Sequence, residues 1–312
     1  LAAAPQLSAL VADEIAQPVD PRVTAIAAAI VARYPEAARA ILFNGSCLWT
    51  ADLDRQMLDF CLIVSSYRAA YGESWLGSAN RLVPPNVFPF EKDGLAARYA
   101  VLSEADFRRL NGPAARSVSV RVRFAQPSRL VWQADEKAME TCVAAIARAA
   151  PSLLAAARPL LAPAAEADPL NLWRLAFGLA YSAELRAERG SPPASVVDAD
   201  PERYRLFSPA AIEAARLGRV EEGGRCLLDP VSEAQRDAAA RAWAQRRRSG
   251  KLLSAVRLAK ASGTFAGGVD HLAWKINRRA GTQIRIAPWQ RRWPLIGTVS
   301  LLLRLLTGKA VR

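Results

Sequence analysis

The stretch Ala40–Val64, AILFNGSCLWTADLDRQMLDFCLIV, decides how the rest of the chain is read. It opens on a short apolar run that ends at Asn44 and meets the pair Gly45-Ser46. A second apolar run, Met57–Val64, carries a single acid, Asp59. Short apolar runs bounded by a turn predict buried strands. A carboxylate set into a buried strand costs free energy unless something positive sits on it. Gly-Ser at the end of the preceding strand brings backbone N–H groups and a hydroxyl next to that carboxylate. Together these groups can hold a nucleoside triphosphate. Amides cradle phosphate oxygens, and the acid holds Mg2+, which takes oxygen ligands. The same residues also suit a plain turn and an acid at a strand edge, and spacing alone does not choose.

Outward from this stretch, the chain is long enough, at 312 residues and 52% hydrophobic, to bury a full core in two parts. The cysteines Cys47, Cys61, Cys142 and Cys226 are scattered, with no CxxC pair. They predict reduced, buried thiols in a cytosolic compartment rather than a disulfide framework or a zinc site. A single histidine, His271, argues against a histidine-based triad or a histidine-rich metal site. No signal-peptide pattern is read at Leu1. The net charge of +13 is unevenly placed: Arg241–Arg312 holds sixteen Lys/Arg against one acid, Asp270, a balance of +15 that leaves −2 for the remainder. Any anionic surface is therefore met by the C-terminal segment.

Before the central stretch, Asp20-Pro21 starts a helix that carries apolar residues at helical spacing to Tyr34. After it, Tyr67–Asn80 predicts a helix with a loop, and the proline-rich Arg81–Gly94 a loop or edge segment. Leu95–Ser103 predicts a strand. Arg116–Phe124, RSVSVRVRF, alternates and predicts a half-buried strand with arginines on one face, broken at Gln126-Pro127. From Asp135 the pattern turns helical: Glu136–Ala150, Ser152–Leu161, Leu170–Glu188, Pro209–Leu217 and Ser232–Arg248. The expected fold class is α+β: an α/β part over 1–133, a helical part over 134–250, and a basic amphipathic segment over 251–312.

Within that last segment, Pro294–Leu306, PLIGTVSLLLRLL, is apolar but shorter than the ~20 residues a bilayer span needs. Trp289, Arg291, Arg292 and Trp293 flank it. Indoles at headgroup depth and arginines on lipid phosphate suit a membrane interface. A core helix beside a solvated basic neighbour is the alternative.

Candidate site residues follow from what a triphosphate site needs. Asp59 is the first acid. Asp52 and Asp54 fit a solvated turn better. Ser46 offers a hydroxyl and an amide. Lys92, Arg98, Arg121 and Arg123 are candidate cations. Arg121 and Arg123 would share a strand face as paired phosphate clamps, or stand on a solvent-exposed sheet face. Glu184, in FGLAYSAELRAE, either ends a helix as an ordinary acid or serves as a metal ligand or proton acceptor.

The ordered set of motifs resembles the mitochondrial-type CDP-diacylglycerol synthases, which are phosphatidate cytidylyltransferases of the nucleotidyltransferase superfamily. The residues that carry the resemblance span about Ala40 to Gly281. Gly45-Ser46 looks like the family's Gly-Ser turn, and Met57-Leu58-Asp59-Phe60 like its acidic strand. Pro85-Asn86-Val87-Phe88 and Arg98-Tyr99-Ala100-Val101-Leu102-Ser103 are similar to its next loop and strand. Arg123-Phe124-Ala125-Gln126-Pro127 resembles its Gly-Arg-Leu-X-Lys-Pro segment. Gly178–Arg186, GLAYSAELR, resembles its Gly-Leu-Ser-Tyr motif with a following Asp and Arg. Lys260–Gly268 with Trp274-Lys275 looks like its C-terminal Lys-Gly stretch.

This resemblance implies a nucleotidyltransferase-like α/β domain over 1–133 followed by a helical, winged-helix-like domain over 134–250, and transfer of CMP from CTP to phosphatidic acid, giving CDP-diacylglycerol and pyrophosphate with Mg2+. It implies Asp59 and Glu184 as catalytic and metal residues, and Gly45, Ser46, Arg98, Arg123 and Arg186 around the nucleotide. It implies an enzyme peripheral on the inner face of a membrane, bacterial cytoplasmic or mitochondrial on the matrix side, reaching anionic lipid through its C-terminal segment. No nucleic acid partner is expected. The chain departs from the family at Gln126, where a Lys would stand, and at Glu184, where an Asp would stand. The acid-x-acid pair of the superfamily is not visible either, since Met57 and Cys61 flank Asp59. Two alternatives remain open: another phosphate acceptor, or a non-catalytic membrane- or nucleic-acid-binding protein that keeps the fold.

Overall fold

The computed structural model describes residues 5–48, 53–54, 56–163, 167–184, 194–263 and 287. Two helices, α1 (Pro5–Ile15) and α2 (Pro21–Val31), precede β1 (Ala38–Asn44). The Asp20 side chain caps α2 by accepting from the Arg22 N–H, as the acid-then-proline pair predicts. After β1 come a 3-10 turn (Ser46–Leu48), β2 (Leu58–Val64), α3 (Tyr67–Tyr71), α4 (Trp75–Leu82), β3 (Asn86–Lys92), β4 (Leu95–Ser103) and α5 (Glu104–Asn111). Then follow α6 (Ser119–Phe124), β5 (Ser128–Gln133), α7 (Glu136–Ile146), α8 (Ala149–Ala157), α9 (Pro169–Ser182), α10 (Ala194–Asp198) and α11 (Pro201–Ala214). A small antiparallel hairpin, β6 (Gly218–Val220) and β7 (Cys226–Leu228), leads into α12 (Glu233–Gly263).

The five longer strands form one mixed sheet in the order β3-β4-β2-β1-β5, with β2 and β4 parallel and the other pairs antiparallel. Strand side chains alternate between faces. Ile41, Phe43, Leu58, Phe60, Leu62, Tyr99 and Val101 face one way and pack on Val23, Ile26 and Ile30 of α2. Ala40, Leu42, Cys61, Ile63 and Leu102 face the other way, into a core continuous with Phe124, Leu153, Trp173, Phe177 and Trp243 of the helices. Asp59 belongs by parity to this second face, at its open end. The fold is α+β, with the sheet first and a helical layer with its hairpin after it.

Several elements differ from the sequence expectations. Arg116–Phe124 does not form a strand: Ser119–Phe124 is the helix α6. Val120, Arg121, Val122 and Phe124 are all buried in it, so burial of an arginine between the valines hides the helical period. The strand lies just beyond Pro127, as β5, paired along β1. The helix expected over Glu136–Ala150 breaks at Ala147-Arg148, and α8 starts ahead of Pro151, which sits in its first turn, where a missing N–H costs nothing. Glu136–Leu160 holds an 18-residue window apolar enough for a membrane span, but 61% of that window is buried in the fold. The helix expected at Pro209 starts at Pro201 and carries Pro209 inside it. The helix expected over Leu170–Glu188 is α9, with 185–188 outside the described residues. The helix expected to end at Arg248 runs on to Gly263, so the division expected at 250 falls inside α12. Pro294–Leu306 and its tryptophans lie outside the described residues.

Two details fix α12 on the helical layer. The Trp243 indole is fully buried and donates to the Ala156 carbonyl at 2.8 Å. A Cβ on Gly250 would stand 2.1 Å from the Ala183 carbonyl oxygen, so only glycine allows this approach at the end of α9.

Candidate active site

The bend after β1 and the acid of β2 are neighbours in space. Gly45 has φ +107°, a conformation glycine tolerates and other residues rarely adopt, and a Cβ there would lie 3.4 Å from Asp59 Oδ2. Pairing in register sets Asn44 of β1 on one side of Asp59 and Arg98 of β4 on the other. The Arg98 guanidinium grips the carboxylate with two N–H groups: Nε donates to Oδ1, and Nη2 to Oδ2 at 2.9 Å. Arg123 comes from α6, above the sheet face. Its Nη1 donates to Asn44 Oδ1 at 3.0 Å and stands 3.9 Å from Asp59 Oδ2. The Asp59 side chain is 16% exposed, whereas Arg98 and Arg123 are 38% and 41% exposed, so the guanidiniums form the mouth and the carboxylate the floor.

Two buried polar groups on this floor were not legible in the sequence. Asn44 is 1% exposed and Ser128, its partner on β5, is fully buried. Asn44 Nδ2 and Ser128 Oγ have no hydrogen-bond partner among the described residues. Buried polar groups are rarely left so, and these two lie beside the glycine bend. The only sequence cue was that both residues border a turn. The described side chains here offer one carboxylate against two guanidiniums, an amide and a hydroxyl. This donor-rich floor carries net positive charge and suits a phosphate group.

The other predicted residues fall in several places. Arg121 does not share a face with Arg123: it is 1% exposed and donates to the Ala115 carbonyl and, at 3.4 Å, to the Ser152 carbonyl. Burial pushes its guanidinium down to about 10. The correction follows from the helix, because residues two apart on a helix point nearly opposite ways. Gln126, which stands where a Lys was expected, donates to the Val122 carbonyl at 2.7 Å and closes α6. Lys92 pairs with Asp93 at the β3–β4 turn, and Asp54 with Arg22 at 3.2 Å. Asp59 is not in the sheet interior but at its end. Cys61, further along the same face, is buried, and burial pushes its thiol up to about 12.

Glu184 ends the turn after α9, its N–H donating to the Tyr181 carbonyl at 3.3 Å. Its charge acts on Arg257 of α12, whose guanidinium burial holds below the ordinary arginine value. Arg257 in turn donates to Ser119 Oγ at 2.7 Å. Ser119 and Arg123 are one turn apart on α6, so α6 links the Glu184 region to Asp59. No group of three His, Cys, Asp or Glu side chains converges among the described residues. Ser46 begins the 3-10 turn, and its side chain is outside the described residues, as are Asp52 and Arg186.

Among the described residues, Asp59 is the one hard oxygen ligand that this bend would offer a divalent ion, beside the space that a Cβ on Gly45 would fill. The fit depends on Arg98 exchanging the carboxylate for a phosphate, since it now holds both oxygens.

No protein-family model matches the chain, and no curated protein matches it. Among solved structures, a nucleotidyltransferase-like protein from Exiguobacterium sibiricum is similar at 14% identity, covering 92% of this chain and 91% of that one with a TM-score of 0.28. At that score the likeness carries no weight for activity.

Proposed function

We propose that the chain binds a nucleoside triphosphate on the Asn44–Gly45 bend and transfers its nucleotidyl group to a phosphate acceptor, with CTP and phosphatidic acid as the pair that the sequence resemblance implies. The observation that carries the reading is the donor-rich floor around one carboxylate: Arg98, Arg123, Asn44 Nδ2 and Ser128 Oγ beside Asp59. In this reading a triphosphate draws Arg98 and Arg123 onto its phosphates. The exchange frees Asp59, which with Glu184 would hold Mg2+. When bound, the ion neutralises charge that develops on the transferring phosphoryl group. Arg123, seated on Asn44, orients the phosphates for in-line attack, and Gly45 lets them approach the backbone closely. The acceptor, a phosphate monoester, is already largely ionised near neutral pH, so little general-base help is needed. Peripheral binding to an anionic membrane would keep the lipid's tails in place during transfer.

The test is an assay of CTP, phosphatidic acid and Mg2+ with purified protein, scored for CDP-diacylglycerol. Equal rates for wild type and Asp59→Asn would remove the site assignment. A second reading, nucleotide binding without transfer, is favoured by Met57, which is 47% exposed where a second strand acid would stand. Calorimetric CTP binding without any turnover would select it.

A further inference from the structure

Two helices far apart in the chain, which meet at residues 83–85, each present apolar side chains to solvent. On α4, Trp75 and Leu82 share a face by helical spacing and are 51% and 81% exposed. On α12, Leu252 and Val256 stand one turn apart and are 68% and 41% exposed. These four are the majority of the seven large apolar side chains exposed among the described residues. The helices meet at residues 83–85. Lys260 Nζ donates to the Val83 carbonyl and, at 2.9 Å, to the Pro85 carbonyl, while Arg257 Nε donates to the Pro84 carbonyl at 2.9 Å. Leu82 adjoins Val83, and Val256 lies one turn before Lys260, so the anchor joins the end of α4 to the stretch of α12 that carries the second apolar stripe. Single exposed apolar residues are ordinary, but a cluster of them marks an interaction surface.

We propose that Trp75, Leu82, Leu252 and Val256 form a docking face for an anionic lipid bilayer. Charge selects this occupant. Exposed Arg81 flanks the face on α4, and α12 carries Arg241, Arg246, Arg247 and Arg248. Cations around an apolar centre with an indole match headgroup phosphates around acyl chains. The face also adjoins the candidate site, since Arg257 joins the 83–85 anchor to Ser119, one turn of α6 before Arg123. The inference rests on the lipid-acceptor reading and deepens it by naming where the bilayer lies.

The test is co-sedimentation of the full chain with phosphatidylcholine–phosphatidylglycerol vesicles and with phosphatidylcholine vesicles. Wild type should prefer the anionic vesicles. The pairs Trp75→Ser with Leu82→Ser, and Leu252→Ser with Val256→Ser, should each lower partitioning about tenfold. Both should leave the Tm and the CTP-induced Tm shift unchanged. Wild-type partitioning by the α4 pair would overturn the proposal, because binding would then belong to the basic tail alone. A drop in Tm with unchanged partitioning would overturn it as well, because the face would then be covered by the chain's own apolar segment. Vesicle binding that needs both pairs, with no CTP-dependent transfer, would leave the face standing and remove the lipid-acceptor reading. Transfer to a soluble short-chain phosphatidate, with vesicle binding unmoved by either pair, would do the reverse.

Discussion

Arg98 and Asp59 stand opposite each other on the parallel strands β4 and β2, and the guanidinium donates to both carboxylate oxygens. A phosphate and this carboxylate therefore compete for one cation. Asp59→Asn should remove the competitor. Affinity for CTP without Mg2+ should hold or rise, while transfer falls at least about a hundredfold. Arg98→Ala should weaken CTP binding by about tenfold to a hundredfold, the worth of charge-assisted hydrogen bonds. Isothermal calorimetry and product assay on the two variants read the split.

Gly45→Ala places a Cβ 3.4 Å from Asp59 Oδ2 on a backbone with φ +107°. Strain of this kind costs on the order of 1–3 kcal/mol. The variant should melt measurably below wild type in a thermal scan, and its CTP-induced stabilisation should shrink.

Gly250→Ala inverts a common rule. Replacing glycine by alanine in a helix ordinarily stabilises by about 1 kcal/mol. Here the new Cβ would lie 2.1 Å from the Ala183 carbonyl oxygen, so α12 must move off the end of α9. Urea denaturation should show a lower midpoint than wild type.

The anchor at Lys260 sets a pH dependence. Burial, and after it the Arg257 charge, push the Lys260 ammonium down from 10.5 to about 7. Between those values the unfolded chain holds a proton that the folded chain has released, so stability from this group rises with pH across the window. Below about pH 7 both states are protonated and the slope vanishes. The Tm of wild type should climb between about pH 7 and 10 relative to Lys260→Met, which lacks the titrating group.

Glu14 and Arg203 form the most enclosed ion pair described, 9% and 8% exposed, and tie α1 to α11. Arg203 also donates to the Ala125 carbonyl at 3.1 Å and lies over the Phe207 ring. Glu14→Ala strands a buried cation and should cost about 3–5 kcal/mol. Glu14→Leu combined with Arg203→Leu should cost less than Glu14→Ala, since no uncompensated charge remains. Denaturant midpoints for the three proteins check the order.

How far the fold could be read from residues depended on whether one face met water. The α2 helix and strands β1, β2 and β4 were legible because apolar runs and end signals such as Asp20-Pro21 agreed. The α6 helix was not. It buries Arg121 beside Val120, Val122 and Phe124, and that guanidinium donates to two carbonyls rather than to solvent, so the residue types mimic a two-sided strand. The meeting of Gly45 with Asp59 was legible from the order of turn and acid. The grip of Arg98 was not, because it depends on the parallel register of β2 and β4. Asn44 and Ser128 become site candidates only when β5 is laid beside β1, across eighty-odd residues.

That last pairing has a further consequence during synthesis. The apolar strand Ala38–Asn44 gains one neighbour from the hairpin-like return at Leu58–Val64, and the other only from Ser128–Gln133. On the ribosome its outer edge stays open while the intervening chain is made, a bare template for pairing with other nascent polypeptides. Chaperone demand should therefore peak before residue 128 emerges, and fragments cut short of it should precipitate rather than fold.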